Sequence, residues 1–375
     1  MTAAAGNSLL SLKDDFYVPS FELIMVDHRL GKDVIRDITQ VTYKDSIDQI
    51  DSFEITISNW DAQTRSFKYS DKDTFLPGKE LELWMGYFGK EPLRLMIKGA
   101  ITEMRPSFPA AGQPTLVISG LNLMHKLRTT QGTHTYEKMT DSQIARAVGQ
   151  RLNMRVITNP LAEALEERYQ YIIQEHEFDI VFLMKRARRI GYDLYVEERG
   201  MRLRSQQSAL YFGPTVNSPE DGFRLTYGAT LVEFTPSLNI SNQVGSVRYR
   251  GWDAVNKCRI EHTAQREEIT RRGVAPDAGR DAIERSFNNR QEVIATRPVN
   301  SIREGQTMAT ETHENIAKEL LTGSGSTVGL PNLRAGSFVH IGGVGKRFSG
   351  RYFVKSTTHT IADGGYTTRF DGRRE

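Results

Sequence analysis

The sequence predicts an α+β chain that is mainly β: two tube-like β-barrel domains related by internal duplication, a small α+β domain between them, and a helical insertion in the second barrel. Three observations predict it. Apolar and polar side chains alternate with a period of two near both ends of the chain. The period lengthens to three and four residues in the middle. Landmarks of the first β region then reappear, in order, in the second.

Residues 1–18 read as a flexible arm. The first barrel is expected over 19–126, where Phe53, Ile55 and Ile57 alternate with Glu54, Thr56 and Ser58 as a half-buried strand requires. Leu81, Leu83, Met85 and Tyr87 repeat that alternation after the turn signal Pro77-Gly78, and further strands fit 95–101 and 115–119. Residues 61–73 and 106–114 read as loops. Over 127–205 a small α+β domain is expected. Thr140-Asp141-Ser142-Gln143 is a capping-box sequence, with Met139 placed to staple onto Ile144, and Ile144, Val148 and Leu152 mark one buried helix face. A second helix is predicted over 179–190, with Ile180, Leu183, Ala187 and Ile190 inward and Gly191 at a left-handed C-cap. A strand over 193–197 returns from it.

The second barrel is expected over 206–260 and 333–375, with β structure from about 230 through 238 to 252 and final strands at 338–341, 352–356 and 366–370. Residues 261–332 read as an insertion with a loop at 273–279 and a helix over 303–321. Ser301 and Glu304 would cap that helix, Met308, Ile316, Ala317, Leu320 and Leu321 would line its apolar side, and Gly323-Ser324-Gly325-Ser326 would follow as a flexible loop. The duplication rests on ordered matches. Ile50, Phe53, Ile55 and Trp60-Asp61 align with Val244, Val247, Tyr249 and Trp252-Asp253. Gly78-Lys79-Glu80-Leu81 aligns with Gly336-Ser337-Phe338-Val339, and Gly99 and Gly120 with Gly350 and Gly372.

Composition narrows the function. In 375 residues, 49 Lys and Arg nearly balance 46 Asp and Glu, so no basic face points to nucleic acid. The cluster Lys185-Arg186 with Arg188-Arg189 reads as a solvated helix face. The single cysteine, Cys258, excludes an intrachain disulfide framework and suits assembly in a reducing cytoplasm. Residues 1–13 lack the pattern of a secretory signal, and no apolar run approaches the roughly 20 residues of a membrane helix.

The chemical motifs fail on inspection. Gly342-Gly343-Val344-Gly345-Lys346 suggests a phosphate loop, but His340 stands where its first Gly should be and Arg347 where Ser or Thr should bind magnesium. A dinucleotide pattern fails at Phe348. His176-Glu177 and His313-Glu314 each begin a zinc-protease pattern, yet Ile180 and Ala317 replace the second His. Glu166-Glu167 and Glu267-Glu268 read as solvated carboxylates, and nothing selects a glycosidase pair. Trp60, Trp84 and Trp252 are the candidate platforms for a sugar-binding reading. No catalytic, cofactor-binding or metal-binding residue is assigned, and no cofactor is expected.

The C-terminal segment does carry a resemblance. Val328-Gly329-Leu330-Pro331-Asn332-Leu333-Arg334-Ala335-Gly336 leads into 345–354, then Thr358-His359 and Gly364-Gly365-Tyr366-Thr367-Thr368-Arg369-Phe370. Together with Asp179, Phe182-Leu183 and 187–192 in the middle, these residues resemble the late control protein D family, the tail hub proteins of contractile phages and injection systems, akin to the hub portion of type VI spike proteins. Phe178 departs from the Ser often found before that Asp. The resemblance implies a structural, non-enzymatic baseplate or tail hub. It would be a homotrimer whose six barrels form a pseudo-six-fold ring, joining a hexameric inner tube protein to a trimeric spike and contacting other baseplate proteins. Assembly in the bacterial cytoplasm and residence in a virion tail or injection particle follow from it, with no membrane span. The last expected strand runs close to Glu375, so a separate spike protein is expected. A wall-degrading baseplate enzyme and a carbohydrate-binding attachment protein are the alternatives.

Overall fold

The computed structural model describes residues 18–25, 28–89, 92–129, 131–197, 208–214, 222–253, 257–265, 290–295 and 302–375. It is mainly β, with 53% strand against 19% helix. Residues 1–17 of the expected arm, the loop at 273–279, Glu267-Glu268, Ser301 and the side chain of Glu304 lie outside the described residues.

The N-terminal part comprises β1 (Pro19–Met25), β2 (His28–Arg29), α1 (Lys32–Asp37), β3 (Ile38–Ser46), β4 (Ser52–Ser58), β5 (Trp60–Asp61), β6 (Ser66–Phe67), β7 (Glu80–Tyr87), β8 (Arg94–Ser107) and β9 (Thr115–Asn122). The alternation seen in sequence becomes burial: Phe53, Ile55 and Ile57 on β4 and Leu81, Leu83 and Met85 on β7 share one core with Val41, Ile97, Leu116 and Ile118. The residues expected as a loop over 61–73 include the short hairpin β5–β6.

The middle part comprises β10 (Gln131–Met139), α2 (Asp141–Arg151), β11 (Val156–Thr158), α3 (Pro160–Glu163), β12 (Tyr169–Phe178), α4 (Asp179–Arg189), β13 (Tyr192–Glu197) and β14 (Ala209–Pro214). The expected capping box is formed, Thr140 accepting from the Gln143 N–H and Gln143 reaching back to the Thr140 N–H. Gly191 has φ +69°, the left-handed value the C-cap requires. Ile144, Val148, Leu183 and Ala187 close a second core against Leu194, Leu210 and Phe212.

The C-terminal part comprises β15 (Phe223–Thr226), β16 (Leu231–Leu238), β17 (Ser246–Asp253), β18 (Cys258–Gln265), β19 (Gln291–Ile294), α5 (Ile302–Lys318), β20 (Leu321–Val328), β21 (Phe338–Gly342), β22 (Gly350–Ala362) and β23 (Gly365–Arg374). Here the structure differs from expectation twice. Val247 and Tyr249 do not sit in the large sheet. They belong to a separate sheet, β18-β17-β19, and bury against Met308 and Ala309 of α5. Trp60 and Trp252 are therefore not structurally equivalent. Residues 323–326 are not a loop but the middle of β20. Their glycines are there because the rings of Phe234 and Phe370 occupy the space a Cβ would need, 2.6 Å from Gly323 and 2.6 Å from Gly325.

One large sheet runs β16-β20-β23-β22-β3-β4-β9-β8-β7-β1-β2, with β21 on β22 and β15 on β21. It contains two antiparallel runs, β3-β4-β9-β8-β7 and β16-β20-β23-β22-β21, which visit their strands in the same chain order. The registers agree as well. Phe53 faces Gly120 as Gly323 faces Gly372, and Glu80 faces Ala100 as Phe338 faces Phe353. The irregularity after Ile38 in β3 recurs after Leu231 in β16. Likewise, that after Ile101 in β8 recurs after Val354 in β22. Even the turns agree. The Gly78 N–H donates to the Ile101 carbonyl at 2.7 Å, and the Gly336 N–H to that of Val354 at 2.8 Å. The sequence matches at Gly78/Gly336 and Gly120/Gly372 fit this register. Gly350, matched to Gly99 in sequence, instead takes the place equivalent to Ile97, since Ile341 faces Gly350 as Leu83 faces Ile97.

Candidate functional site at the seam between the strand runs

The two runs meet where β22 pairs with β3, from Ser356 opposite Ser46 to Ile361 opposite Val41. A buried polar cluster fills this seam. Asp45 on β3 accepts from Arg334 Nε at 2.6 Å, the Ala335 N–H at 3.0 Å and the Thr357 hydroxyl at 2.5 Å. Arg334 also donates to the Tyr43 hydroxyl and to the Met96 carbonyl, and its guanidinium lies 4.7 Å over the Tyr43 ring. His359 Nε2 lies 3.0 Å from the Leu333 carbonyl, which can only accept, so Nε2 carries the proton. Nδ1 then accepts from the Tyr366 or Thr368 hydroxyl, at 3.0 and 3.1 Å.

Electrostatics follow from burial and pairing. Burial pushes the Asp45 carboxyl up, but the Arg334 charge and the Thr357 hydroxyl outweigh it and hold Asp45 below its ordinary value. Burial brings His359 down to about 4, against an opposing pull from Asp45, so the ring is neutral at pH 7. Burial likewise raises the Tyr366 hydroxyl. Arg334 and Thr357 are tied to Tyr43 and Asp45 across the seam, while His359 is held on its own side by the Leu333 carbonyl and the hydroxyls of β23. The cleft beside the cluster, bordered by Asp45, Asp51, Tyr195 and Arg334, holds about 30 Å³, room for one water and not for a substrate. Its chemistry is that of a joint.

The residues singled out in sequence are scattered. Residues 342–346 form the turn between β21 and β22, with Gly343 and Gly345 at φ +80° and +82°. His176 and Glu177 end β12, where Glu177 binds Lys185 at 2.5 Å. His313 is buried on α5, with Nε2 3.2 Å from the Val244 carbonyl. Among the described residues no group of three or more His, Cys, Asp or Glu is placed to hold a metal ion. Two expectations of solvated charge are corrected. Arg186 is buried against Asp141 at 2.5 and 3.1 Å, with its guanidinium 4.6 Å over the Tyr169 ring. Glu166 accepts from the Ser142 N–H at 2.8 Å at the start of α2. Trp60, Trp84 and Trp252 belong to three different sheets. Trp60 packs on Phe67, and Trp252 is 61% exposed. No described helix is long and apolar enough to cross a membrane. Sequence reasoning assigned no role to Asp45, Tyr43 or Thr357. Arg334, His359 and Tyr366 stood inside the segment carrying the resemblance, which was the one available signal.

The fold has relatives among solved structures. The 43 kDa tail protein of prophage MuSo2 from Shewanella oneidensis is 14% identical, with a TM-score of 0.70 over 95% of this chain and 98% of that one. A tail protein from Neisseria meningitidis MC58 is 13% identical, with a TM-score of 0.70 over 96% of this chain and 97% of that one. The E. coli c3393 protein, a type VI secretion component described as similar to T4 tail proteins gp27 and gp5, is 12% identical, with a TM-score of 0.59 over 94% of this chain and 77% of that one. No curated protein matches the chain. Its fold is thus that of phage tail proteins, and its sequence matches the family described as the Alg8 N-terminal domain over residues 23–363: the chain belongs to the Alg8 N-terminal domain family.

Proposed function

We infer that this chain is a structural hub of a contractile tail or injection machine, of the late control protein D type, and not an enzyme. Three copies form a ring of six similar strand runs, joining a hexameric inner tube to a trimeric spike among other baseplate proteins. The observation that carries this reading is the repeated run. Two five-strand units with one connectivity, one register and irregularities at matching places support reading the chain as a tandem duplicate, in which three chains would present six near-equivalent faces to a six-fold partner. The tail-protein fold supports it, as does a seam built for rigidity. Assembly would take place in the bacterial cytoplasm, and the product would be part of a virion baseplate or injection particle.

Native mass measurement of the full chain, alone and co-expressed with neighbouring tail proteins, tests the reading. A trimer of about 128 kDa, three times the 42.5 kDa chain, is expected. A chain that stays monomeric in both preparations and cleaves cell-wall polymer overturns it.

A further inference from the structure

The seam joins two strand edges within one chain, and the equivalence of the runs gives each edge a counterpart. Carried across by register, Ser356–Ile361 of β22 corresponds to 103–108 of β8 and the residue after it, and Val41–Ser46 of β3 to 234–239 of β16 and the residue after it. Both counterparts are open among the described residues. β7 covers β8 only as far as Ala100, leaving the last residues of β8 without a neighbour on that side. β16 pairs with β20 alone and ends the sheet.

We propose that the open edge of β8 in one copy docks against β16 of a second copy in the register of the internal seam. This rests on the ring reading above and names its contact. The register places Met104 opposite Leu238, Pro106 opposite Pro236 and Phe108 opposite Phe234. These six positions correspond to Thr357 and Asp45, His359 and Tyr43, and Ile361 and Val41, every one of them buried at the internal seam. In the single chain the six are half-buried or exposed, Phe108 at 59%. All six are apolar, matched pair by pair, where the internal seam is largely polar. A second copy covers them without burying a polar side chain. The occupant is another copy of this chain because the two edges are the register counterparts of β22 and β3, which already pair within one chain. Such a head-to-tail contact generates a ring when the rotation closes.

The prolines shape the contact. The Asn239 N–H bonds the Leu320 carbonyl and the Asn59 N–H the Pro114 carbonyl, which sets the alternation so that Pro236 and Pro106 turn their nitrogens to the open edges. Proline is tolerated at that position of an edge strand and blunts it against stray pairing. At the dock the two prolines face each other with no N–H between them. Ladder hydrogen bonds are confined to the flanking Met104–Leu238 and Phe108–Phe234 pairs, and the apolar row carries the contact.

Cysteine cross-linking of the full chain, with Cys258→Ser to remove the exposed native thiol, tests the register. Arg105 and Ser237 fall opposite each other on the other face of the strands, at a non-hydrogen-bonded pair, where Cα atoms about 4.5 Å apart suit a disulfide. The double variant Arg105→Cys with Ser237→Cys is expected to oxidise to a covalent trimer, and each single variant to none. The offset pair Arg105→Cys with Asn239→Cys, roughly 7 Å out of register, should cross-link at least about ten-fold less. A trimer by native mass that cross-links in neither register, or equally in both, overturns this contact and leaves the hub reading standing. A chain monomeric alone and with its tail proteins, with no cross-link, overturns both. A cross-link to a co-expressed protein in place of a second copy overturns the choice of occupant.

Discussion

Asp45 and Arg334 are buried at 4% and 7% exposure, so neither charge can turn to water when the other is removed. Asp45→Ala should destabilise the chain by roughly 3–5 kcal/mol in denaturant unfolding, because it strands a buried guanidinium and frees Thr357 and the Ala335 N–H as well. The arrangement also sets a pH dependence. His359 binds its proton near pH 6.5 when unfolded and only near pH 4 when folded, so the unfolded chain holds more protons between those values. Stability from its burial is full above about pH 6.5 and falls by on the order of 3 kcal/mol as pH drops to about 4. Asp45, whose folded value is depressed, adds a further loss below its ordinary value near 3.8. His359→Gln should flatten the first interval and leave the second, as urea midpoints across pH would show. None of this was legible in the sequence. Thr357 and Asp45 are 312 positions apart, and no local pattern reports a contact that distant.

At the scale of elements, what was legible was what local chemistry decides. The capping box of α2 is present as read, and Thr140→Ala should cost about 1 kcal/mol, seen as a lowered Tm. The alternation of β4 and β7 fixed both strands. The antiparallel pair β10–β12 escaped because its strands, QGTHTYEKM and YQYIIQEHEF, are largely exposed and carry no steady apolar period. Residues 323–326 were misread for a related reason. Glycine in a strand looks like a loop until the aromatic rings that need its vacant side are in place, and those rings come from Phe234 and Phe370. Gly323→Val and Gly325→Val should therefore both destabilise, although valine favours strands, and circular dichroism melts would register the loss.

Over the whole molecule, the sequence matches agree with the strand registers in the later half and miss them in the earlier half. The matches from Gly78 and Gly120 onto Gly336 and Gly372 fall at equivalent register positions. The match of Trp60 to Trp252 does not, because the true counterpart of β4 is β20, on the far side of β17, β18, β19 and α5. The glycines of β20 hid its alternation, and a better-patterned strand, β17, stood where the counterpart was sought. Hydrogen exchange offers a test at this scale. The Asp45–Arg334 seam should stay protected as long as the cores of both runs, and Asp45→Asn should let the β3–β22 amides exchange first.

The distance between β3 and β22 also bears on synthesis. At about 5–20 residues per second, the ribosome needs roughly 15–60 s to travel from Asp45 to Thr357. Throughout that interval β3 has made its neighbour β4 while its other edge waits, with Tyr43 and Asp45 lacking Arg334. Closing the seam must wait for β22 and so comes among the last acts of synthesis. A translational stall before Arg334 would therefore release a half-made sheet with one hungry side, a natural target for holdase chaperones.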